Sequence, residues 1–187
     1  MDPRPRPAAD EVIAALRHWL EQAVIGLNLC PFAQAVYLRN QIRFVVSEAR
    51  TETELGVDLE TELHRLHTTP TEQIETTLLI HPYVLSEFRD YNEFLGEAEA
   101  TLLGAGLVGE IQIASFHPQY QFAGTEPDDV SNYTNRAPYP TLHLLREASV
   151  ERAVQSFPEA KTIFEANIRT MQSLGHAGWK RLGIGPA

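Results

Sequence analysis

The sequence predicts an α/β fold in which a small parallel sheet of β-α-β-α-β order follows one N-terminal helix and precedes two C-terminal helices. Three observations predict it. Short apolar runs alternate with longer segments whose apolar residues recur at helical spacing. The segments between the runs are long enough for crossover helices, which normally join parallel strands. The 187 residues also suit one domain. A ferredoxin-like α+β arrangement, with antiparallel strands, is the alternative.

The first elements follow from local signals. We expect residues 1–8 to form a disordered arm rich in Pro and Arg, and residues 9–187 to form a single α/β domain. Asp10 is a good N-cap for the first helix. Pro31 lacks an amide hydrogen and ends that helical region. The mainly apolar run at 42–47 predicts the first strand.

The central elements alternate between helix and strand. Thr51 and Glu54 have the spacing of a capping box, which starts a helix. The apolar run at 76–80 predicts a strand that is buried on both faces. Ser86 is the expected cap of the next helix, and the glycine-rich turn at 104–109 ends it. That turn matches GxGxxG, but it ends a helix instead of following a strand, so it is no dinucleotide site.

The third strand is expected near 110–116, and a long segment without periodicity, residues 117–140, follows it. Loops of this length are often functional. Two helices are expected to close the chain. In the last of them Asn167 interrupts an apolar stripe that Gly175 ends. A buried amide must be hydrogen-bonded, so we expect a backbone or loop partner for Asn167.

Composition excludes several classes of protein. Hydrophobic residues make up 43% and charged residues 21% of the chain, as in ordinary globular proteins. No apolar run is long enough for a membrane span, so no membrane partner is expected. The chain has one cysteine and no apolar leader near its N-terminus, which favours a cytoplasmic location. No sequence pattern indicates an oligomeric state.

The formal charge of −10 comes from one stretch. Residues 51–100 carry 12 acidic and 2 basic residues, whereas residues 151–187 carry 3 acidic and 5 basic residues. Binding to nucleic acid without sequence preference requires a cationic surface. The balance of charge therefore argues against a nucleic-acid partner and favours a small-molecule ligand.

Polar residues follow each predicted strand, where ligands bind in open parallel sheets. Glu48 follows the first strand, His81 the second and His117 the third. If the strands are adjacent and parallel, these side chains meet at one rim. They then form a general acid–base set. The alternative is a divalent transition-metal site of His81 and His117 with Asp128. In a third interpretation each histidine only caps a loop.

The loop after the third strand supplies candidate substrate contacts. Arg136 can clamp a carboxylate or phosphate through its planar guanidinium. Asn135, Tyr120 and Tyr139 are further candidates for substrate binding. The alternative for Arg136 is a salt bridge to a loop aspartate. His143 can join the same site from the far end of the loop.

Cys30 precedes a proline, and Cys-Pro dipeptides ligate haem in some regulatory sites. A nucleophilic cysteine requires a neighbouring base and a lowered pKa. A buried, unreactive thiol is the third interpretation. The sequence alone leaves all three open.

Three stretches carry a family resemblance: Gly26 to Phe32, Phe116-His117-Pro118, and Asn135 to Arg146. They resemble the bacterial and plastid proteins grouped as domain of unknown function 1415, and the resemblance spans nearly the whole chain. It implies a single-domain intracellular protein and transfers no catalytic residue to this sequence.

These observations favour a small-molecule enzyme whose His and carboxylate site lies at the strand carboxyl ends, with a metal ion as a possible cofactor. Two alternatives belong to other classes. One is a non-catalytic ligand-binding or regulatory domain, and the other is a haem or metal sensor that uses Cys30.

Overall fold

The computed structural model describes residues 7–156 and 162–185. The strands are β1 (Ile42–Val46), β2 (Thr76–Ile80), β3 (Ile111–Phe116) and β4 (Thr141–Arg146). The α-helices are α1 (Ala9–Trp19), α2 (Ala33–Leu38), α3 (Glu52–Thr68), α4 (Phe88–Gly104), α5 (Glu147–Ser156) and α6 (Ile163–Arg181). A π-helix (Leu20–Ile25) continues α1, and a 3₁₀-helix (Val130–Asn135) lies within the loop after β3. The predicted arm falls mostly outside the described residues.

The four strands form one sheet in the order β1-β2-β4-β3. β1 pairs with β2 in parallel, and β4 pairs antiparallel with both β2 and β3. The α/β class is confirmed, and β1, β2 and β3 run in the same direction as predicted. The expectation of a purely parallel sheet is wrong, because β4 was not foreseen. Residues 141–146 form a strand that fills the gap between β2 and β3.

Alternating side chains bury the two faces of the sheet against different helices. Leu79, Leu142 and Leu144 pack with α3 and α4, whose buried stripe includes Leu59 and Tyr91. Leu78 and Ile80 pack on the other face with α1, the π-helix and α6. The protein is therefore a three-layer α/β/α sandwich, with the acidic helices α3 and α4 on one side and α6 on the other.

The helix starts confirm one capping prediction and correct two. Thr51 accepts the amide of Glu54, and Glu54 reaches back to the Thr51 amide, which is the predicted capping box. Asp10 is not the first N-cap, because the N-cap position belongs to Ala8, two residues earlier, and the Glu11 carboxylate accepts the Ala8 amide. Ser86 is not the cap of α4, because the N-cap position belongs to Glu87.

Two helical segments on the α6 side depart from α-helical geometry. The π-helix widens the end of the first helical rod, and Asn28 follows it in the left-handed region with φ of 53°. In α6, Gly175 has φ of 62° and ψ of 177°, which breaks the helix into two parts. Glycine tolerates this backbone conformation because it has no Cβ.

The prediction for Asn167 is confirmed. Its side-chain amide donates to the Leu29 carbonyl at 2.9 Å, which ties α6 to the segment after the π-helix. Among the described residues, no helix combines the length and the apolar character that crossing a bilayer requires.

Candidate functional site

His81 follows β2 directly and lies beneath the surface. Its amide donates to the Pro140 carbonyl, which extends the β2–β4 pairing by one bond. Its Nδ1–H donates to the Val84 carbonyl at 3.1 Å, so the neutral ring presents Nε2 as an acceptor. The residue is 0% exposed, and Nε2 has no hydrogen-bond partner among the described residues.

His117 follows β3 and is also 0% exposed. Its Nε2–H donates to the Leu85 carbonyl at 3.1 Å, and its Nδ1 accepts the Gln119 amide at 3.0 Å. Both ring nitrogens are therefore satisfied by backbone groups. The ring holds the turn before α4 against the start of the long loop.

Tyr91 of α4 connects the two imidazoles. Its ring stacks on His81 at 5.6 Å between centroids, with an interplanar angle of 19°, and contacts the ring of His117 at 5.0 Å. Both histidines lie at the same end of the sheet, as expected for residues that follow two strands of the same direction, and their contacts with Tyr91 place them on the α4 face. We call His81, Tyr91 and His117 the histidine–tyrosine cluster.

Burial sets the protonation of this cluster. It lowers the pKa of His81 to about 4 and that of His117 to about 4, because a charged imidazole loses its hydration there. It raises the pKa of Tyr91. At neutral pH all three groups are therefore uncharged. Of the ring nitrogens in the cluster, Nε2 of His81 is the one that retains an unused lone pair among the described residues, at a position closed to solvent.

The carboxylates predicted at this site lie at the surface. Glu48 and Asp128 are both exposed, and neither makes a hydrogen bond or ion pair with another described residue. Within residues 7–156 and 162–185, no three His, Cys, Asp or Glu side chains are grouped closely enough to hold a metal ion. His81, His117 and Asp128 are thus not brought together as ligands.

Arg136 holds the long loop together. Its Nε donates to the Tyr120 carbonyl at 3.2 Å, a terminal nitrogen donates to the Pro127 carbonyl at 2.6 Å, and the guanidinium lies 4.2 Å from the Tyr133 ring centroid. Asn135 donates to the Ser115 carbonyl at 3.2 Å. Arg136 therefore bonds the loop to itself instead of forming the salt bridge considered from the sequence, and Asn135 bonds the loop to β3.

Sequence reasoning missed Asn132 at the centre of this loop. Its Oδ1 accepts from the Phe122 amide and the Thr125 hydroxyl, and its Nδ2 donates to the Glu126 carbonyl. Residues 117–140 have no hydrophobic periodicity, so the sequence around Asn132 does not indicate that its side chain is buried. Tyr120 packs on Phe88 at 5.1 Å, which joins the loop to α4 beside the cluster.

The remaining candidates lie apart from the cluster, on the opposite face of the sheet. Tyr139 is buried there among the apolar residues beside α1 and α6. His143 bonds the Thr76 hydroxyl at 2.7 Å, and burial lowers its pKa to about 4. Cys30 is partly buried against the same apolar cluster, and burial raises the pKa of its thiol, which favours the unreactive protonated form.

A cleft on the α6 side was not predicted. It has a volume of about 640 Å³ and is lined by Leu27, Ala166, Arg169, Thr170, Ser173, Leu174 and Arg181. We call it the α6 cleft. The excess of basic residues in 151–187 was the available signal, but the wall residue Leu27 lies more than a hundred positions away in the sequence.

The comparisons with known proteins give one match. A family model with the description "Protein of unknown function (DUF1415)" matches residues 11–181. No curated protein and no solved structure matches the chain.

Proposed function

The chain belongs to the DUF1415 family, whose function is unknown, and we propose from the structure that it is a non-catalytic binding protein for a small molecule. The observation that carries the proposal is the α6 cleft. It is an open cleft of about 640 Å³, large enough to take a small molecule against one wall of α6. Its lining combines three apolar residues with two arginines and two hydroxyl-bearing residues, so it offers apolar contacts and hydrogen-bond donors together.

The walls of the cleft support a binding role. Leu27 lies just after the π-helix, and Leu174 directly precedes the helix break at Gly175. The π-helix and the break at Gly175 each interrupt a helix that is otherwise regular. Departures of this kind are frequent at functional sites, where they position side chains that a regular helix would direct elsewhere.

The contacts of the histidine–tyrosine cluster indicate that its two histidines have a structural role and not a catalytic one. His117 uses both ring nitrogens to bond backbone groups, and both histidines are 0% exposed. A general acid or base must come within hydrogen-bond reach of its substrate. These two rings instead hold the turn before α4 and the start of the long loop.

Screening by ¹H–¹⁵N correlation NMR tests the proposal with a library of neutral and charged fragments. We expect hits whose chemical-shift changes centre on Leu27, Ala166 and Thr170. Ala166→Trp fills the cleft and should abolish those changes. Ala177→Trp, on an exposed position of the same helix outside the cleft, is the matched control and should preserve them. Hits that never map to the cleft, or that survive Ala166→Trp, would overturn the proposal.

Acid–base chemistry at the histidine–tyrosine cluster is a second candidate function, and one observation favours it. The buried Nε2 of His81 is unpaired among the described residues, and an orphaned polar atom in a native structure calls for an explanation such as a catalytic role or a bound water. Carbethoxylation of histidines, followed by mass spectrometry, tests it. Modification of His81 in the folded protein at a rate near that of exposed His64 would support access to this nitrogen. Complete protection would exclude a role that needs substrate contact.

A further inference from the structure

We propose that the ligand of the α6 cleft carries an oxyanion, a phosphate or a carboxylate, and that Arg169 and Arg181 bind it. This inference rests on the proposed binding function. Both arginines are among the residues that line the cleft. Guanidinium groups match carboxylate and phosphate oxygens through paired N–H donors.

Neither arginine is committed to a strong partner elsewhere. Arg169 lies 3.7 Å from a Glu165 oxygen, and both side chains are about two-thirds exposed at 66% and 70%. An exposed pair of this kind contributes little to stability. The guanidinium of Arg181 has no hydrogen-bond or ion-pair partner in the described part of the chain. Both groups are available for an anion.

The two hydroxyls of the cleft are also available. On the other helices, the hydroxyls of Thr61, Thr68 and Thr101 each donate to the backbone carbonyl four residues earlier. Thr170 and Ser173 line the cleft without such a bond, and neither hydroxyl has a partner among the described residues. They can therefore donate to the same oxyanion as the arginines.

The protein is acidic overall, but its charge is distributed so that the cleft lies on the side that favours binding of an anion. Helix α3 carries five acidic residues and one basic residue, and α4 carries four acidic residues and one basic residue. Helix α6 carries three basic residues and one acidic residue, on the other face of the sheet. Screening over about 8 Å at physiological ionic strength weakens repulsion across the sheet. An anion is thus attracted locally to α6.

The apolar residues of the cleft indicate an organic body on the anion, because a bare phosphate would make no use of them. Leu27 and Leu174 are half-buried and supply apolar contacts beside the arginines. The chemistry fits a small organic phosphate or carboxylate whose apolar part contacts these leucines.

Titrations with phenyl phosphate, benzoate, inorganic phosphate and neutral benzyl alcohol, followed by ¹H–¹⁵N NMR that includes the arginine Nε–H signals, test this inference. We expect one or both organic anions to bind more tightly than benzyl alcohol and inorganic phosphate. The stronger of phenyl phosphate and benzoate identifies the oxyanion. Arg181→Gln and Arg169→Gln should each weaken the better anion about tenfold, and Thr170→Val should weaken it less.

Lys180→Gln is the matched control, because it removes the same charge from the neighbouring position outside the cleft. It should change the affinity less than twofold. An equal loss in Lys180→Gln and Arg181→Gln would show diffuse charge attraction and overturn the inference. Neutral fragments that bind in the cleft while no anion does would also overturn it, yet leave the proposed function intact. No binding of any fragment would remove both.

Discussion

The hydroxyl of Tyr91 accepts the backbone amide of Phe116 at 3.1 Å. The same hydroxyl donates to the Thr141 carbonyl at 2.9 Å. Phe116 and Thr141 are register partners at the end of the β3–β4 pair, so a side chain from α4 bridges the two strands there. The Tyr91 hydroxyl thus joins α4 to the β3–β4 pair, and the ring of the same residue contacts the imidazoles of His81 and His117.

Tyr91→Phe should lower the free energy of unfolding by about 2–3 kcal/mol, because it leaves a buried carbonyl and a part-buried amide without their partner. Urea denaturation measures the loss, and hydrogen exchange at the Phe116 amide should become faster. Tyr83→Phe is the control. It removes one hydroxyl bond, to the Pro7 carbonyl in a part-buried position, and should cost less than about 1 kcal/mol. Equal losses in the two variants would contradict the bridging role.

The buried histidines predict how stability depends on pH. Burial lowers the pKa of His81 and of His117 to about 4, against about 6.5 in the unfolded chain. As the pH falls below about 6.5, the unfolded state binds protons that the folded state does not. The free energy of unfolding should therefore fall at pH 5 by about 2 kcal/mol for each of these histidines, and by a similar amount for His143, whose pKa burial also lowers to about 4.

Urea denaturation between pH 7.5 and pH 5 measures this dependence. His117→Gln should flatten the slope, even though it lowers stability at pH 7.5. His64→Gln, at an exposed position of α3, should leave the slope unchanged. A stability that stays constant across this range in the unmodified protein would contradict the buried, neutral state of the pair.

Arg146 secures the end of α3 and should contribute strongly to stability. One of its terminal nitrogens lies within hydrogen-bond distance of the carbonyls of Leu66, Thr69 and Ile74, at 2.6, 2.5 and 3.0 Å. Arg146→Met keeps much of the aliphatic stem but leaves these carbonyls without the donor. We expect a loss of about 2–4 kcal/mol, measured by urea denaturation.

Arg152→Met is the control for that variant. Its side chain is 63% exposed, and its guanidinium lies 3.8 Å from a carboxylate oxygen of Glu75. The change should cost less than about 0.5 kcal/mol. If Arg146→Met costs no more than Arg152→Met, the three carbonyl contacts do not contribute to stability.

Asn167→Asp tests the bond that ties α6 to the segment after the π-helix. The substitution keeps the shape of the side chain but replaces the amide donor, which bonds the Leu29 carbonyl, with an acceptor. The free energy of unfolding, measured by urea denaturation, should fall by about 1–2 kcal/mol. Asn92→Asp makes the same chemical change at an exposed position of α4 and should cost less than about 0.5 kcal/mol. Equal losses in the two variants would show that the Leu29 bond does not stabilise the fold.

Much of the fold was predictable because its signals are local. The capping box at Thr51, the buried leucines of α3 and the apolar run of β2 each depend on neighbouring residues, and all three are confirmed. β4 was missed because its identity depends on pairing with β2 and β3, from which it is separated by long stretches of chain. The position of a strand within a sheet is not set by local propensity.

In the candidate site, too, some features were predictable from the sequence and others depend on the folded chain. Two polar residues that follow strands of one direction were expected to lie near each other, and both contact Tyr91. Their burial was not predictable, because the carbonyls that accept from their rings belong to Val84 and Leu85 in the turn before α4. Only the folded turn shows that these imidazoles face the interior.

The place of β4 in the sheet has a consequence for how the chain is made. β2 and β3 pair with β4 and not with each other. A growing chain that has emerged only as far as residue 140 therefore has β3 without a neighbouring strand. Such an unpaired edge favours aggregation during synthesis. The sheet can form completely only after β4, which ends at Arg146, has left the ribosome. By then about three-quarters of the chain has been synthesised.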